Sequence, residues 1–299
     1  MGFTNRLATA PISWGICEVP GWGKQLPVDR VLSEMRDLGF PATELGSEGY
    51  LPDDADELVR LLKGYELDML AAFVPAVIHD PDQVDETIRR VTATMELLRA
   101  TGATYVNTAP VMSWDWGPRR PLSDDEWRHS IDMLERIEAI AVDHGLIQAI
   151  HEHVGTVIEK ADEIQRVVDH SSIRFVLDTA HFAIGGYDPL EFAQRYGDRV
   201  GLVHLKDCNL SIARRLNDGE LSLMEAVQQG MFPCIGDGDL PIGDVIRTLE
   251  EQGYDGWYVL EQDAAITGDE PAEGAGPVLD VATSLNYLRA LEERMATAP

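Results

Sequence analysis

Eight short apolar runs, rich in β-branched and aliphatic residues, punctuate the chain at 7–13, 42–45, 67–74, 103–108, 146–151, 173–178, 200–205 and 257–261. Runs of this length and composition predict strands. Most are separated by stretches with helical spacing. Residues 82–99 place Val84, Ile88, Val91, Met95 and Leu98 on one stripe, and Gly102 follows as a stop. Ser123 and Glu126 have capping-box spacing ahead of Trp127, Ile131, Leu134, Ile137 and Ala141, and His144-Gly145 ends that pattern. Asp188-Pro189 opens a further helix, which Gly197 closes. A glycine leading into the next element recurs in DLGF, ATGA, DHGL and EQGY.

Strands that alternate with helices imply parallel pairing through right-handed crossovers. Eight such units predict an α/β fold, a single (β/α)8 TIM barrel over residues 1–299, with no boundary that would set off a second domain. The long interval 206–256 holds a helical pattern near 221–229 and then the loop CIGDGDLP. It reads as an extended loop at the active-site end plus the seventh helix. GDGD at 236–239 reads as a turn placed where it could cover the pocket. Residues 264–276 read as a loop, and 278–295 as the helix that completes the outer ring.

Composition narrows the function classes. Hydrophobic residues make up 44% and charged residues 25%, ordinary for a globular protein. No apolar run approaches the roughly 18 residues of a membrane helix. The start, MGFTNRLATAPISWG, lacks the basic and apolar regions of a signal peptide, so a cytoplasmic protein is expected. The net charge of −28 (24 Lys+Arg, 52 Asp+Glu) argues against nucleic acid as partner, since phosphate binding depends on positive charge. Cys17, Cys208 and Cys234 lack metal-type spacing and fit a reducing compartment. A homo-oligomer is compatible with the sequence and not dictated by it.

In a parallel barrel the chemistry sits where strands end at the C-terminal face. Four consecutive runs stop there at ionisable residues: IHEHVGT, FVLDTAH, LVHLKD and YVLEQD. Four such endings would converge several N and O ligands, a set that suits Mn2+, Co2+, Zn2+ or Mg2+. Asp178, His204 and Glu261 supply one ligand each. Asp178 could instead cap the following helix, His204 could be a core histidine, and Glu261 could lie on the surface. The fifth strand is ambiguous, because alternation lets either His151 and His153 or Glu152 face inward. Glu159 could return to the pocket or sit at a helix start. Upstream, Ser13, Trp14, Glu44, Asn107, Thr108, Trp114 and Trp116 end or follow the earlier strands. Ser, Asn and Trp suit a polyhydroxy ligand, through hydrogen bonds to hydroxyls and aromatic cover over C–H faces.

The motifs APISWG, ATELG, HEHVGTVIE, LDTAH, VHLKD, EAVQQGMFPCIGDGD and GWYVLEQD together resemble the xylose-isomerase-like barrel superfamily of sugar isomerases, epimerases and dehydratases. The resemblance covers nearly the whole chain and is greatest to the inosose dehydratase group. It implies a metal set of Glu, Asp, His and Glu from strands five to eight. Asp178, His204 and Glu261 match. His151 stands where the superfamily carries Glu, with Glu152 one residue away, and both stay open with His151 preferred. The resemblance further implies a hydro-lyase that uses a divalent cation, Mn2+ or Co2+ first and Zn2+ or Mg2+ next. Its substrate would be inosose (2-keto-myo-inositol) or a related polyol ketone, dehydrated through an enediolate. Candidates for the base are Glu159, His153 and Glu152. Lys206 or His181 would be the acid or a substrate contact. The rivals are a keto-sugar isomerase or epimerase with the same enediolate, a keto-glycoside lyase, and a barrel that binds sugar without turning it over.

Overall fold

The computed structural model describes residues 2–297. Nine parallel strand segments form one sheet: β1 (Leu7–Thr9), β2 (Ala42–Glu44), β3 (Asp68–Ala71), β4 (Phe73–Ala76), β5 (Tyr105–Pro110), β6 (Ile147–His151), β7 (Arg174–Asp178), β8 (Val200–Leu205) and β9 (Tyr258–Leu260). β3 and β4 stand at opposite ends of the pairing order, yet only Ala72 separates them in the chain. Ala71 O accepts from Leu45 N on one side, and Leu70 O and Ala72 O accept from Thr104 N and Asn107 N on the other. The two segments are therefore halves of one strand. β1 pairs with both β2 and β9, so the sheet closes into the eight-stranded barrel that the element pattern predicts.

Eleven helices are present among the described residues: α1 (Val28–Leu38), α2 (Ala55–Gly64), α3 (Val84–Thr101), α4 (Asp124–Asp143), α5 (Ala161–His170), α6 (Thr179–Ile184), α7 (Pro189–Tyr196), α8 (Leu210–Asn217), α9 (Leu223–Gln228), α10 (Ile242–Glu251) and α11 (Pro277–Thr297). The Ser123–Glu126 capping box forms, and Asp188 caps α7 ahead of Pro189. The interval 206–256 carries three helices, not one helical pattern and a seventh helix. Asn209 starts α8 by accepting from Ser211 N and Ile212 N. The first strand ends earlier than its apolar run suggests. Pro11 has no N–H to give a ladder, and residues Pro11–Trp14 turn into a 3-10 helix that stops at left-handed Gly15. Among the described residues no helix is long and apolar enough to cross a membrane.

Two apolar layers position the site. Outward-facing strand residues such as Val106, Ile150, Leu177, Val203 and Leu260 pack with the helices. A separate cluster joins Ala8, Ala42, Leu70, Tyr105, Ala149, Val176, Leu202 and Val259 from successive strands. Side chains alternate along a strand, so this second cluster fills the barrel interior. Two residues further along six of these strands lie Glu44, Asn107, His151, Asp178, His204 and Glu261. The same alternation that plugs the barrel floor thus raises a ring of polar groups above it.

Candidate metal centre at the barrel mouth

Alternation decides the fifth-strand ambiguity. His151 is in phase with inward Ala149, and Glu152 is in phase with outward Ile150. His151 Nε2 lies 3.8 Å from Asp178 Oδ2, which is 3.8 Å from His204 Nδ1; His204 Nδ1 lies 3.0 Å from Glu261 Oε2. Asp178 and His204 are direct partners across β7 and β8. His151 Nε2 is buried and finds no hydrogen-bond partner among the described residues, which is costly for a buried polar atom. Asp178 Oδ2 and His204 Nδ1 are buried with ion-pair contacts only, to Lys206 at 3.3 Å and Glu261 at 3.0 Å. Metal bonds of about 2.0–2.2 Å put neighbouring ligand atoms roughly 3.0–3.6 Å apart, close to the spacing found here. The donor set of two imidazoles and two carboxylates therefore fits a divalent cation.

Each residue of this set is held by its own support. Asp178 forms the cap considered for it, Oδ1 accepting from Ala180 N and His181 N at 2.9 Å, while Oδ2 faces the cluster. His204 Nε2 lies 3.0 Å from Glu44 Oε1, which also accepts from Asn107 Nδ2 at 2.8 Å. A carboxylate only accepts, so Nε2 carries a proton and Nδ1 is the nitrogen that could ligate a cation. Burial opposes charge on His204, but Glu261 and Glu44 outweigh it and hold the ring well above its ordinary value. Asp178 and Glu261 lie well below theirs: burial works against ionisation, and the cations around them win, Lys206 first for Asp178 and His204 first for Glu261. Burial keeps His151 neutral.

A pH prediction follows. A cation that ligates His204 Nδ1 must displace the proton there, whereas the carboxylates are already ionised. Affinity is therefore expected to rise with pH while His204 is protonated in the metal-free protein, about tenfold per unit. Calorimetric Mn2+ titrations in buffers of different ionisation enthalpy should show release of a single proton at pH 7.

A second group lies one step further toward the opening. Lys206 is fully buried, with Nζ 2.6 Å from Glu261 Oε1, 2.7 Å from Asp263 Oδ1 and 3.3 Å from both Asp178 Oδ2 and His181 Nε2. Burial disfavours its charge, but Asp178, Asp263 and Glu261 raise it well above the usual lysine value. Asp263, not singled out from sequence, is pushed up by burial to about 6. Its signal was present: it lies two residues beyond Glu261 and shares its phase. Lys206 can only donate, so His181 Nε2 accepts and its proton sits on Nδ1. His153 donates Nδ1–H to Val154 O at 2.9 Å, leaving Nε2 with a lone pair. Burial holds His153 down at about 3, and His181 lies well below its ordinary value for the same reason. The two neutral rings lie side by side, centroids 3.8 Å apart.

The residues expected to contact substrate are mostly committed elsewhere. Ser13 Oγ accepts from Gln262 N at 3.0 Å, tying β1 to the end of β9. Trp14 is buried and donates to Glu34 Oε2 on α1 at 2.8 Å, because the 3-10 turn directs it away from the mouth. Glu44 and Asn107 support His204. Trp114 donates to Gln83 Oε1 at 2.9 Å and lies under Arg90 of α3. Of the two tryptophans after the fourth strand, Trp116 is the one that meets the histidines. It stacks on Phe73 (6.0 Å, 9°) and meets His153 edge-on, with a left-handed φ of 57° that is rare for an aromatic residue.

Of the other two base candidates, Glu159 is engaged elsewhere and Glu152 is not. Glu159 is paired with Arg119 and Lys160 and accepts from Gly155 N at 2.7 Å, so it braces the turn after β6. Glu152 is fully buried, with neither carboxyl oxygen hydrogen-bonded among the described residues; burial first and Asp178 next raise it well above the usual carboxylate range, against Lys206. GDGD does form a turn. Asp207 accepts from Gly236 N, Gly238 N and Leu240 N at 2.9–3.1 Å. A Cβ on Gly238 would lie 2.2 Å from Asp207 Oδ1, so only glycine allows the approach. Phe232, on the segment leading into this turn, lies against Lys206 and His181.

A closed parallel barrel with N/O ligands from its consecutive strand ends defines the class of protein. The family model of xylose isomerase-like TIM barrels matches residues 32–291, and the chain belongs to this family. It is 34% identical over 275 residues to an inosose dehydratase of Geobacillus kaustophilus (strain HTA426), covering 87% of this chain and 89% of that protein. It is 33% identical over 269 residues to the rhizopine catabolism protein MocC of Rhizobium meliloti, covering 86% and 81%. Among solved structures it is similar to the IOLI protein with a bound zinc atom, at a TM-score of 0.71 and 16% identity over 97% of this chain and 98% of that one.

Proposed function

We propose that the chain is a divalent-metal-dependent hydro-lyase that dehydrates inosose or a related cyclic polyhydroxy ketone. The observation that carries this reading is the meeting of a buried ring of N/O side chains with two neutral imidazoles of opposite hydrogen-bonding polarity. The similarity to inosose dehydratases supports the substrate class.

His151, Asp178, His204 and Glu261 would hold the cation, which when bound supplies Lewis-acid stabilisation of negative charge on the ketone oxygen. The other steps fall to side chains. A ketone acidifies the adjacent C–H, but a base must still remove the proton. His153 takes it on Nε2, its Nδ1–H fixed on Val154 O so that the lone pair is free. Loss of the proton leaves an enediolate, whose electrons expel the β-hydroxyl. The His153 imidazolium then gives that proton to the hydroxyl, which departs as water while His181 Nδ1–H donates a hydrogen bond to the leaving oxygen, so one water leaves per ring and both imidazoles end neutral. Lys206, whose N–H groups are directed to protein acceptors, sets the charge of the site and does not itself transfer the proton. Phe73 and Trp116 supply an apolar wall for the C–H face of the ring.

Incubation of the Mn2+-loaded protein with inosose is expected to generate the ultraviolet absorbance of an unsaturated diketone. No absorbance change, with turnover of a ketohexose instead, would replace dehydration by isomerisation or epimerisation on the same enediolate.

A further inference from the structure

We infer that Lys206 holds the place of a second cation and thereby limits the centre to one divalent ion. The inference rests on the metal reading proposed above and concerns how many ions the pocket accepts.

Glu261 spans two cation positions. Its Oε2 lies 3.0 Å from His204 Nδ1 in the ligand ring, and its Oε1 lies 2.6 Å from Lys206 Nζ. Asp178 Oδ2 also faces both positions, 3.8 Å from His204 Nδ1 and 3.3 Å from Lys206 Nζ. Carboxylates shared in this way are how two-metal sites keep their ions a few ångström apart. The second position has ligands of its own: the ligand atoms of His153, His181 and Asp263 all lie within 4.8 Å of one another. The ammonium already occupies that set, at 2.7 Å from Asp263 Oδ1 and 3.3 Å from His181 Nε2.

An ion bonded to Asp263 and His181 would stand within a few ångström of Nζ. Two like charges that close, in a site walled from water, repel strongly. Lysine is almost never fully buried unless paired, and here its pairing consumes the carboxylates a second ion would need. Lys206 therefore balances the extra negative charge with a covalently attached monocation and keeps His153 and His181 as free imidazoles.

The test is the number of Mn2+ ions bound per chain after equilibrium dialysis, with electron paramagnetic resonance to separate isolated from exchange-coupled ions. Wild type is expected to bind one ion with an isolated Mn2+ spectrum. Lys206→Gln is expected to bind two, with a coupled spectrum, and adding Asp263→Asn should return the count to one. Two ions in wild type, or one ion in folded Lys206→Gln, would overturn the inference. So would a Lys206→Gln protein that stays unfolded at every Mn2+ concentration, because two bound ions would replace the lost charge. Wild type that binds no ion at all would instead reject the metal reading itself, and the inference with it.

Discussion

Asp178→Asn is expected to cost on the order of 10²–10³ in Mn2+ affinity while leaving the fold nearly as stable. The amide oxygen can still accept from Ala180 N and His181 N, so the cap on α6 survives. Loss of such a cap altogether would cost about 0.5–2 kcal/mol. The other atom changes from a carboxylate oxygen to an NH2 group, which cannot ligate and points its hydrogens at Lys206 and the histidines. Taking the binding energies of structural zinc sites as a guide, about 10–16 kcal/mol spread over four ligands gives roughly 2.5–4 kcal/mol each. That per-ligand share converts to a loss of about 10²–10³. Calorimetric titration with Mn2+ and thermal unfolding of the metal-free protein separate the two roles. Unchanged affinity would show that Asp178 serves only as a cap.

His153→Gln is expected to behave in the opposite way. Its ring lies outside the ligand ring, so metal affinity should stay within a few-fold of wild type. Catalysis should fall by about 10²–10⁴, the usual contribution of a positioned general base. Glutamine can keep a donor toward Val154 O but has no lone-pair nitrogen to take a proton. A loss confined to KM would mean that His153 only lines the pocket beside Phe73 and Trp116. Single-turnover measurement at saturating metal distinguishes these outcomes.

Much of this was legible in the sequence because it rests on period-two alternation and local chemistry. The apolar runs placed the strands. Asp178, His204 and Glu261 announced themselves as ionisable residues that stop such runs, and the structure brings them together with His151. The capping box at Ser123 and the start of α7 are local hydrogen-bond patterns and were equally visible. What the sequence hid depends on distant partners. Trp14 looked like a strand-end residue until Pro11 turned the chain and Glu34, twenty positions away, received its indole N–H. Glu44 and Asn107 read as substrate contacts because a one-dimensional pattern cannot show that Glu44 accepts from His204 and that Asn107 Nδ2 donates to Glu44. Glu159 is drawn from the pocket by Arg119, which comes from a different loop. Trp114 and Trp116 read alike in the sequence; that Trp116 is the one to meet His153 depends on a left-handed backbone that no propensity of tryptophan would suggest. Asp263 alone could have been found earlier, by extending the inward phase of β9 one step further.

The direct measurement of the central claim is a manganese anomalous difference map from crystals soaked in Mn2+. A single peak is expected about 2.0–2.4 Å from His151 Nε2, Asp178 Oδ2, His204 Nδ1 and Glu261 Oε2, in the range of metal–nitrogen and metal–oxygen bonds. A peak ligated by Glu152, or one held by His153, His181 and Asp263 with the four-residue ring left empty, would contradict it.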